Sequence, residues 1–300
     1  MMKRFLAVAI LIVSVTIGVS GLSFASDSGA AFLKIGSGAR PSALGGNFVG
    51  LADDVNAINW NPGGLGQIKE RELSAMYASW LADMNYEYAA YAQPLSGNIT
   101  VGGSVTMLQS GDMEKRSDTR ERLGTFSATD SCGTIAIAKK IHDNASFGVG
   151  LKIINQKIDD ESATGFALDL GGVFGTSVPN LKMGVALRNL GPKMKFISEG
   201  YNLPVTAAVG FNYGLPKLNL TSDLNYFDST MTFGVGAEFK LASMLGLDLG
   251  YKIGKDNKLG GTTGVSAGLV FNLSKINLAY AWVPYGELQD THRISLGVKF

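Results

Sequence analysis

The chain has 300 residues, a formal net charge of +1 and a single cysteine, which leaves no basic excess for nucleic acid and excludes an internal disulfide framework or a CxxC metal site. Glycine numbers 39 against a usual share of about 7%, and charged residues make up 17% against about 25%. With 46% hydrophobic residues, no G-X-Y period and only 8 prolines, the chain is neither disordered, collagenous nor a low-complexity linker.

Residues 1–25 read as a targeting segment. Lys3 and Arg4 precede an apolar run from Phe5 to Val19, and Ser23-Phe24-Ala25 offers small residues around Phe24, the pattern of a signal peptide cleaved after Ala25. The run could just span a bilayer, but no basic stop-transfer flank follows it, and no cysteine near the cleavage point offers a lipid anchor. Losing Lys3 and Arg4 leaves 24 basic against 25 acidic residues, a mature charge of −1.

Residues 26–71 do not alternate. Leu44, Phe48, Leu51, Val55 and Ile58 recur at spacings of four and three, which predicts a helical apolar face with Ser42 as N-cap, weakened by Gly45, Gly46 and Gly50. Asn61-Pro62-Gly63-Gly64 then breaks it. Asp53-Asp54 has the charge to bind a cation, but a capped helix junction or a salt bridge with Arg40 is the simpler reading.

From residue 72 onward the pattern switches to period two, the signature of strands with two different faces. Strands are predicted at 72–80, 85–95, 98–109, 129–141, 144–157, 164–176, 181–190, 203–213, 217–227, 231–241, 244–253, 263–272, 276–284 and 291–300. That makes fourteen, with twelve and sixteen as the neighbouring counts. Connections after even strands are short; those after odd strands are usually longer, the longest being 110–128, 191–202 and 254–262. This segregation by parity predicts an all-β fold, a transmembrane antiparallel β-barrel with short inner turns, long outer loops and a short helical N-terminal plug.

One face of these strands is apolar and reads as lipid-facing. The other carries many glycines (Gly102, Gly148, Gly150, Gly184, Gly234, Gly236, Gly250, Gly268, Gly297) and charges of both signs (Lys152, Asp169, Arg188, Asp223, Glu238, Asp248, Lys252). Glycine weakens a strand interior but lets another backbone approach, so an inner wall this bare suits a lumen that holds something. The 26–71 segment is the natural occupant, a patch at the inner membrane interface being its alternative. Trp80, Tyr91, Tyr226, Trp282 and Tyr285, near strand ends, suit interfacial girdles. The chain closes on Ile294, Leu296, Val298 and Phe300 along one face, an amphipathic strand with a terminal aromatic that looks like the signal read by outer-membrane barrel-assembly machinery.

Of the enzymatic motifs, His-Glu-x-x-His and the P-loop are absent from the sequence. By strand parity His142 and His292 fall on opposite sides of the membrane, so they share neither a metal nor a catalytic centre, and Cys132 reads as a small wall residue. No catalytic, cofactor or metal residues are assigned.

The run Gly36 to Leu65, through Arg40-Pro41-Ser42-Ala43-Leu44-Gly45-Gly46, Asp53-Asp54 and Asn59-Trp60-Asn61-Pro62-Gly63, closely resembles the N-terminal signature of the PorV/PorQ family, outer-membrane proteins similar to the FadL long-chain fatty-acid transporter. Gly63 stands where the family carries alanine after Asn-Pro. The resemblance implies a fourteen-stranded outer-membrane barrel, non-enzymatic, with residues 26–71 as plug and 72–300 as barrel in a Gram-negative-type envelope. It implies work in a type IX secretion-like pathway, receiving exported proteins, with FadL-like uptake of hydrophobic small molecules or a purely structural role as alternatives. Uptake predicts a lateral opening or an apolar pocket beside Phe48 and Leu51. Secretion predicts a sealed barrel and partner binding at the outer loops, where Asp112–Arg122 holds four acidic and four basic residues.

Overall fold

The computed structural model describes residues 28–227, 229–254 and 263–300; the predicted signal peptide lies outside them. Eighteen strands follow in chain order: β1 (Glu72–Ser79), β2 (Asn85–Leu95), β3 (Ile99–Gln109), β4 (Met113–Arg116), β5 (Arg122–Phe126), β6 (Ala128–His142), β7 (Ala145–Ile158), β8 (Glu161–Gly175), β9 (Leu181–Leu190), β10 (Met194–Phe196), β11 (Glu199–Tyr201), β12 (Thr206–Leu215), β13 (Leu218–Phe227), β14 (Thr230–Lys240), β15 (Leu245–Ile253), β16 (Val265–Leu273), β17 (Ile276–Pro284) and β18 (Asp290–Lys299). Fourteen of them close one antiparallel barrel, β1 pairing β18 with Tyr77 opposite Ile294. The remaining four form two hairpins, β4–β5 and β10–β11.

Alternation sets the barrel's two surfaces. On β7, Phe147, Val149, Leu151 and Ile153 are exposed on the outside, while Ser146, Gly148, Gly150 and Lys152 turn inward and are buried. Ile135, Ile137, Phe166, Leu269 and Phe271 extend the same outer apolar band. Closing the sheet removes its edges and pairs the backbone polar groups internally, the condition for strands surrounded by hydrocarbon.

The rim that carries Glu72 and Lys299, here the near rim, has short connections such as 96–98, 143–144 and 274–275. The far rim carries the long ones, with two corrections. The connection predicted as a loop at 158–163 shrinks to the turn 159–160, and β14 begins at Thr230, because β7, β8 and β14 run further than the apolar alternation shows. The loops 110–128 and 191–202 contain the two hairpins, whose strands of three to five residues are too short to show alternation, although Met194 on β10 is buried.

Candidate functional site

Residues 28–68 lie inside the barrel. The segment starts at the far rim, where Gly29 N–H donates to the Asn202 carbonyl at 3.0 Å, and joins β1 at the near rim. Its apolar residues are buried as predicted, but not on one helix. Only Ala39–Ala43 and Ala57–Trp60 are α-helical turns, followed by a 3-10 turn at Pro62–Gln67. Gly45 and Gly46 adopt φ of 70° and 77°, which ends the first helix within a turn. Ser42 is not an N-cap: it sits inside the first turn, donating to the Gly38 carbonyl at 2.7 Å. The spacing of Leu44, Phe48, Leu51, Val55 and Ile58 reflects contact with a surrounding wall, and burial comes from the wall itself.

Wall side chains fix the plug through its backbone. Asp223 accepts from the N–H groups of Phe48 and Val49 at 2.7 and 2.8 Å. Ser295 accepts from Ala39 N–H at 2.8 Å, and Ser266 donates to the Ala43 carbonyl at 2.8 Å. Ser146 donates to the Gly63 carbonyl at 2.7 Å. Asn61 donates from its amide to the carbonyls of Val49 and Gly172, at 2.8 and 3.0 Å, and accepts from Gly63 N–H. The Asn61-Pro62 breaker is therefore a bracket between plug and wall. These bonds satisfy backbone groups that a non-helical segment leaves open.

The inner glycines supply the clearance. A Cβ on Gly184 would overlap the Val49 carbonyl, one on Gly148 the Pro62 carbonyl, and one on Gly250 the backbone at Leu44-Gly45. Gly102, Gly234, Gly236 and Gly268 likewise face Ile58, Asn47, Leu44 and Ala43. Gly150 and Gly297 do not touch the plug and meet only ordinary wall contacts.

Towards the near rim, Arg40 is clasped by three carboxylates: Asp53 at 2.7 Å, Asp54 at 2.8 Å and Glu238 at 2.6 Å. The guanidinium also lies 5.5 Å from the Phe48 ring centroid. Burial disfavours its charge, but the charges of Asp53, Glu238 and Asp54 outweigh this and hold Arg40 well above its ordinary pKa. Burial likewise pushes both aspartates up; Arg40 overcomes this for Asp53, which is lowered, while Asp54 stays raised beside it. The salt-bridge reading of Asp53-Asp54 is what the geometry displays, and among the described residues no three His, Cys, Asp or Glu side chains are arranged to hold a metal.

Towards the far rim the plug leans on aromatic and cationic groups. Trp60 donates to the Ser37 carbonyl at 2.9 Å, and the hydroxyls of Ser37 and Tyr86 are hydrogen-bonded at 3.0 Å. Arg188 lies over Trp60 and Arg293 over Trp80, at 5.5 and 5.2 Å. Trp80 and Tyr285 are not girdle residues: they pack edge-on at 5.3 Å and line the lumen. Arg293 carried no sequence signal beyond its inward register with Ser295, and Arg188 was legible as inward without its partners.

The plug leaves a cavity on each side. The far one, about 520 Å³, is bounded by Phe32, Trp60, Trp80, Tyr86, Arg188 and Tyr285. The near one, about 690 Å³, is bounded by Arg40, Asp53, Asp54, Glu238, Asp248 and Lys299. Phe48 and Leu51 line neither, so the apolar pocket predicted beside them is corrected: both are fully packed into the plug core. Cys132 is buried and reaches the far cavity wall. Of the predicted plug residues, Arg40, Asp53, Asp54 and Val55 border the near cavity, while Asn61 and Pro62 sit in the wall bracket.

Residues 25–167, just under half of the chain, match the model of an uncharacterised protein family, UPF0164. A "UPF0164 protein" of Treponema pallidum (strain Nichols) is 26% identical over 294 residues, covering 89% of this chain and 67% of that protein. The fold is similar to that of solved transporters. The toluene transporter TodX of Pseudomonas putida superposes with a TM-score of 0.65 at 12% identity, covering 88% of this chain and 99% of TodX. The toluene transporter TbuX of Ralstonia pickettii gives 0.64 at 12%, covering 88% and 98%. A FadL homologue of Pseudomonas aeruginosa gives 0.58 at 11%, covering 87% and 97%. At such identities the likeness is one of fold.

Proposed function

We propose that this chain is an outer-membrane channel that takes up small organic molecules, its plug forming the barrier between an outer and an inner cavity. The observation that carries this reading is the internal segment itself, clasped by hydrogen bonds and an ion-pair cluster, with a cavity of several hundred cubic ångströms on either side. A structural barrel has no need of two cavities divided by a separately fastened plug. The outer apolar band supports a lipid surround, and the similarity in fold to two toluene transporters supports small-molecule transport. We take residues 1–25 as the export signal, 26–71 as plug, 72–300 as barrel, the near rim as periplasmic, and the strand ending at Phe300 as the segment the assembly machinery reads.

The secretion reading drew on the PorV/PorQ resemblance, and the observations favour it less. Half of the charges in the longest loop's charged stretch pair within the protein: Glu114 with Arg116 at 2.7 Å and Arg122 at 3.4 Å, and Lys115 with Asp159. Deleting the gene and comparing secreted proteins with uptake of labelled small aromatic molecules, neutral and anionic, tests the choice. Lost uptake with unchanged secretion is expected; lost secretion with unchanged uptake overturns the proposal.

A further inference from the structure

The two cavities differ in charge. Five carboxylates line the near one: Asp53, Asp54, Glu72, Glu238 and Asp248. Among the described residues no aspartate or glutamate lines the far one, nor its 110 Å³ side extension beyond Trp60 and Tyr285. Yet Lys34, Lys152, Lys252 and Arg188 border the far cavity, and Arg293 its extension.

Both guanidiniums are held by neutral groups. Arg188 donates to the Asn59 carbonyl and to Asn225, each at 3.3 Å, and stacks on Trp60. Arg293, only 2% exposed, donates to the Gly36 carbonyl at 2.8 Å, Ser42 at 2.6 Å and Tyr285 at 3.3 Å, and stacks on Trp80. The Nε of each is buried without a hydrogen-bond partner. The carboxylates whose charge Arg188 feels, Asp169 and Asp223, have other partners: Asp169 holds Lys152 at 2.6 Å and Asn189 N–H at 2.7 Å, and one oxygen of Asp223 holds the plug backbone. Neither forms an ion pair with Arg188, and a cavity lined by cations and, among the described residues, by no acid attracts an anion.

The remaining lining sets the rest of the ligand. Aromatic rings (Trp60, Trp80) stand beside hydroxyl and amide groups (Thr106, Thr134, Asn225). That mixture offers stacking surface for a ring. We infer that the far cavity is a binding site for a compact aromatic carboxylate, its ring against the tryptophans and its carboxylate on Arg188. Guanidinium forks suit that group through paired charge-assisted hydrogen bonds. This rests on the channel reading above and narrows its substrate to an organic anion.

The test uses the full-length protein in detergent, with Trp282→Phe introduced so that the two remaining tryptophans are those lining the cavity. Their fluorescence is titrated with 4-nitrobenzoate and with its neutral counterpart nitrobenzene, both aromatic quenchers. Saturable quenching by the anion is expected, at least tenfold tighter than by nitrobenzene, weakened at least tenfold by Arg188→Gln and only severalfold by Arg188→Lys. Equal affinity for anion and neutral probe would overturn the inference, as would displacement of nitrobenzoate by inorganic phosphate at the same concentration. If Arg188→Gln does not fold, the ratio between the two probes on the parent protein decides alone. In liposomes, entry is counted only in excess of that into protein-free vesicles, since nitrobenzene crosses lipid unaided. Protein-dependent entry of nitrobenzene without nitrobenzoate defeats this inference and leaves the channel reading intact; protein-dependent entry of neither defeats the channel reading, and the titration still decides the inference.

Discussion

Replacing Arg40 by Met should unlock the plug while leaving the barrel closed. Arg40 is the only partner given in the structure to the Glu238 carboxylate from the plug, and it also neutralises Asp53 and Asp54 within the plug itself. Asp53 is about a third exposed, so solvent screens it and it adds little. Asp54 and Glu238 are more enclosed, and stripping the partner from an enclosed carboxylate costs about 3–5 kcal/mol. Taking about 3 kcal/mol as the net cost to docking, the ratio of docked to released plug falls on the order of 100-fold, since each 1.4 kcal/mol is a factor of ten. Met keeps much of the apolar stem, so packing against Phe48 is partly retained. The readouts are single-channel conductance in planar bilayers, protease cleavage within residues 39–60, and the mobility shift between unheated and heated samples that reports a closed barrel. Raised conductance and new cleavage in a folded barrel are expected. A folded variant with parental conductance and no new cleavage would refute the claim that the Arg40 cluster fastens the plug.

Glycine substitutions separate clearance from mere smallness. Gly148→Ala places a Cβ into the Pro62 carbonyl and should cost about 1–3 kcal/mol, read as a lower unfolding temperature, whereas Gly150→Ala, two residues away on the same face, meets only wall atoms at 3.5 Å or more and should change little. Acidification acts through the Arg40 cluster with opposite signs. Asp54, raised, disfavours docking near neutrality and is relieved as it protonates; Asp53, lowered by Arg40, contributes docking stability above the ordinary aspartate pKa of about 4 that is lost as pH falls through its depressed value. Conductance should therefore stay flat from neutrality to about pH 5 and rise only below about 4. Phe300 stacks on Tyr91 at a centroid distance of 6.4 Å and is otherwise half exposed, so Phe300→Ala removes a ring pair of about 0.5–1.5 kcal/mol. It should reduce the amount of barrel reaching the outer membrane while the unfolding temperature of the inserted fraction shifts by only a few degrees.

Barrel strands were legible because lipid outside and plug inside impose a period of two on every one of them. β4 and β10 escaped because strands of four and three residues outside the barrel wall are too short to show a period. The plug was legible as a buried apolar segment, yet its helix was misread: a wall on all sides buries Leu44, Phe48 and Leu51 whatever backbone they share, and Gly45-Gly46 let the chain turn instead of coil. The Arg40 link to Asp53 and Asp54 was visible from local charge. Glu238, 198 residues away, enters only through barrel closure. The same holds for Asp223, whose inward register was clear but whose role as an anchor for the Phe48 and Val49 amides depends on how high the plug sits. Glycines on the inner face pointed to an occupant, and seven of the nine named do face it.

The most direct measurement is uptake of a labelled small aromatic into cells whose only outer-membrane channel of this type is the protein itself, with the parent chain and Arg40→Met compared at equal barrel levels. Uptake that requires the protein and changes when the plug is loosened is the predicted result. Uptake that is the same with the parent, with the variant and without the protein would contradict the reading of this barrel as a plugged small-molecule channel.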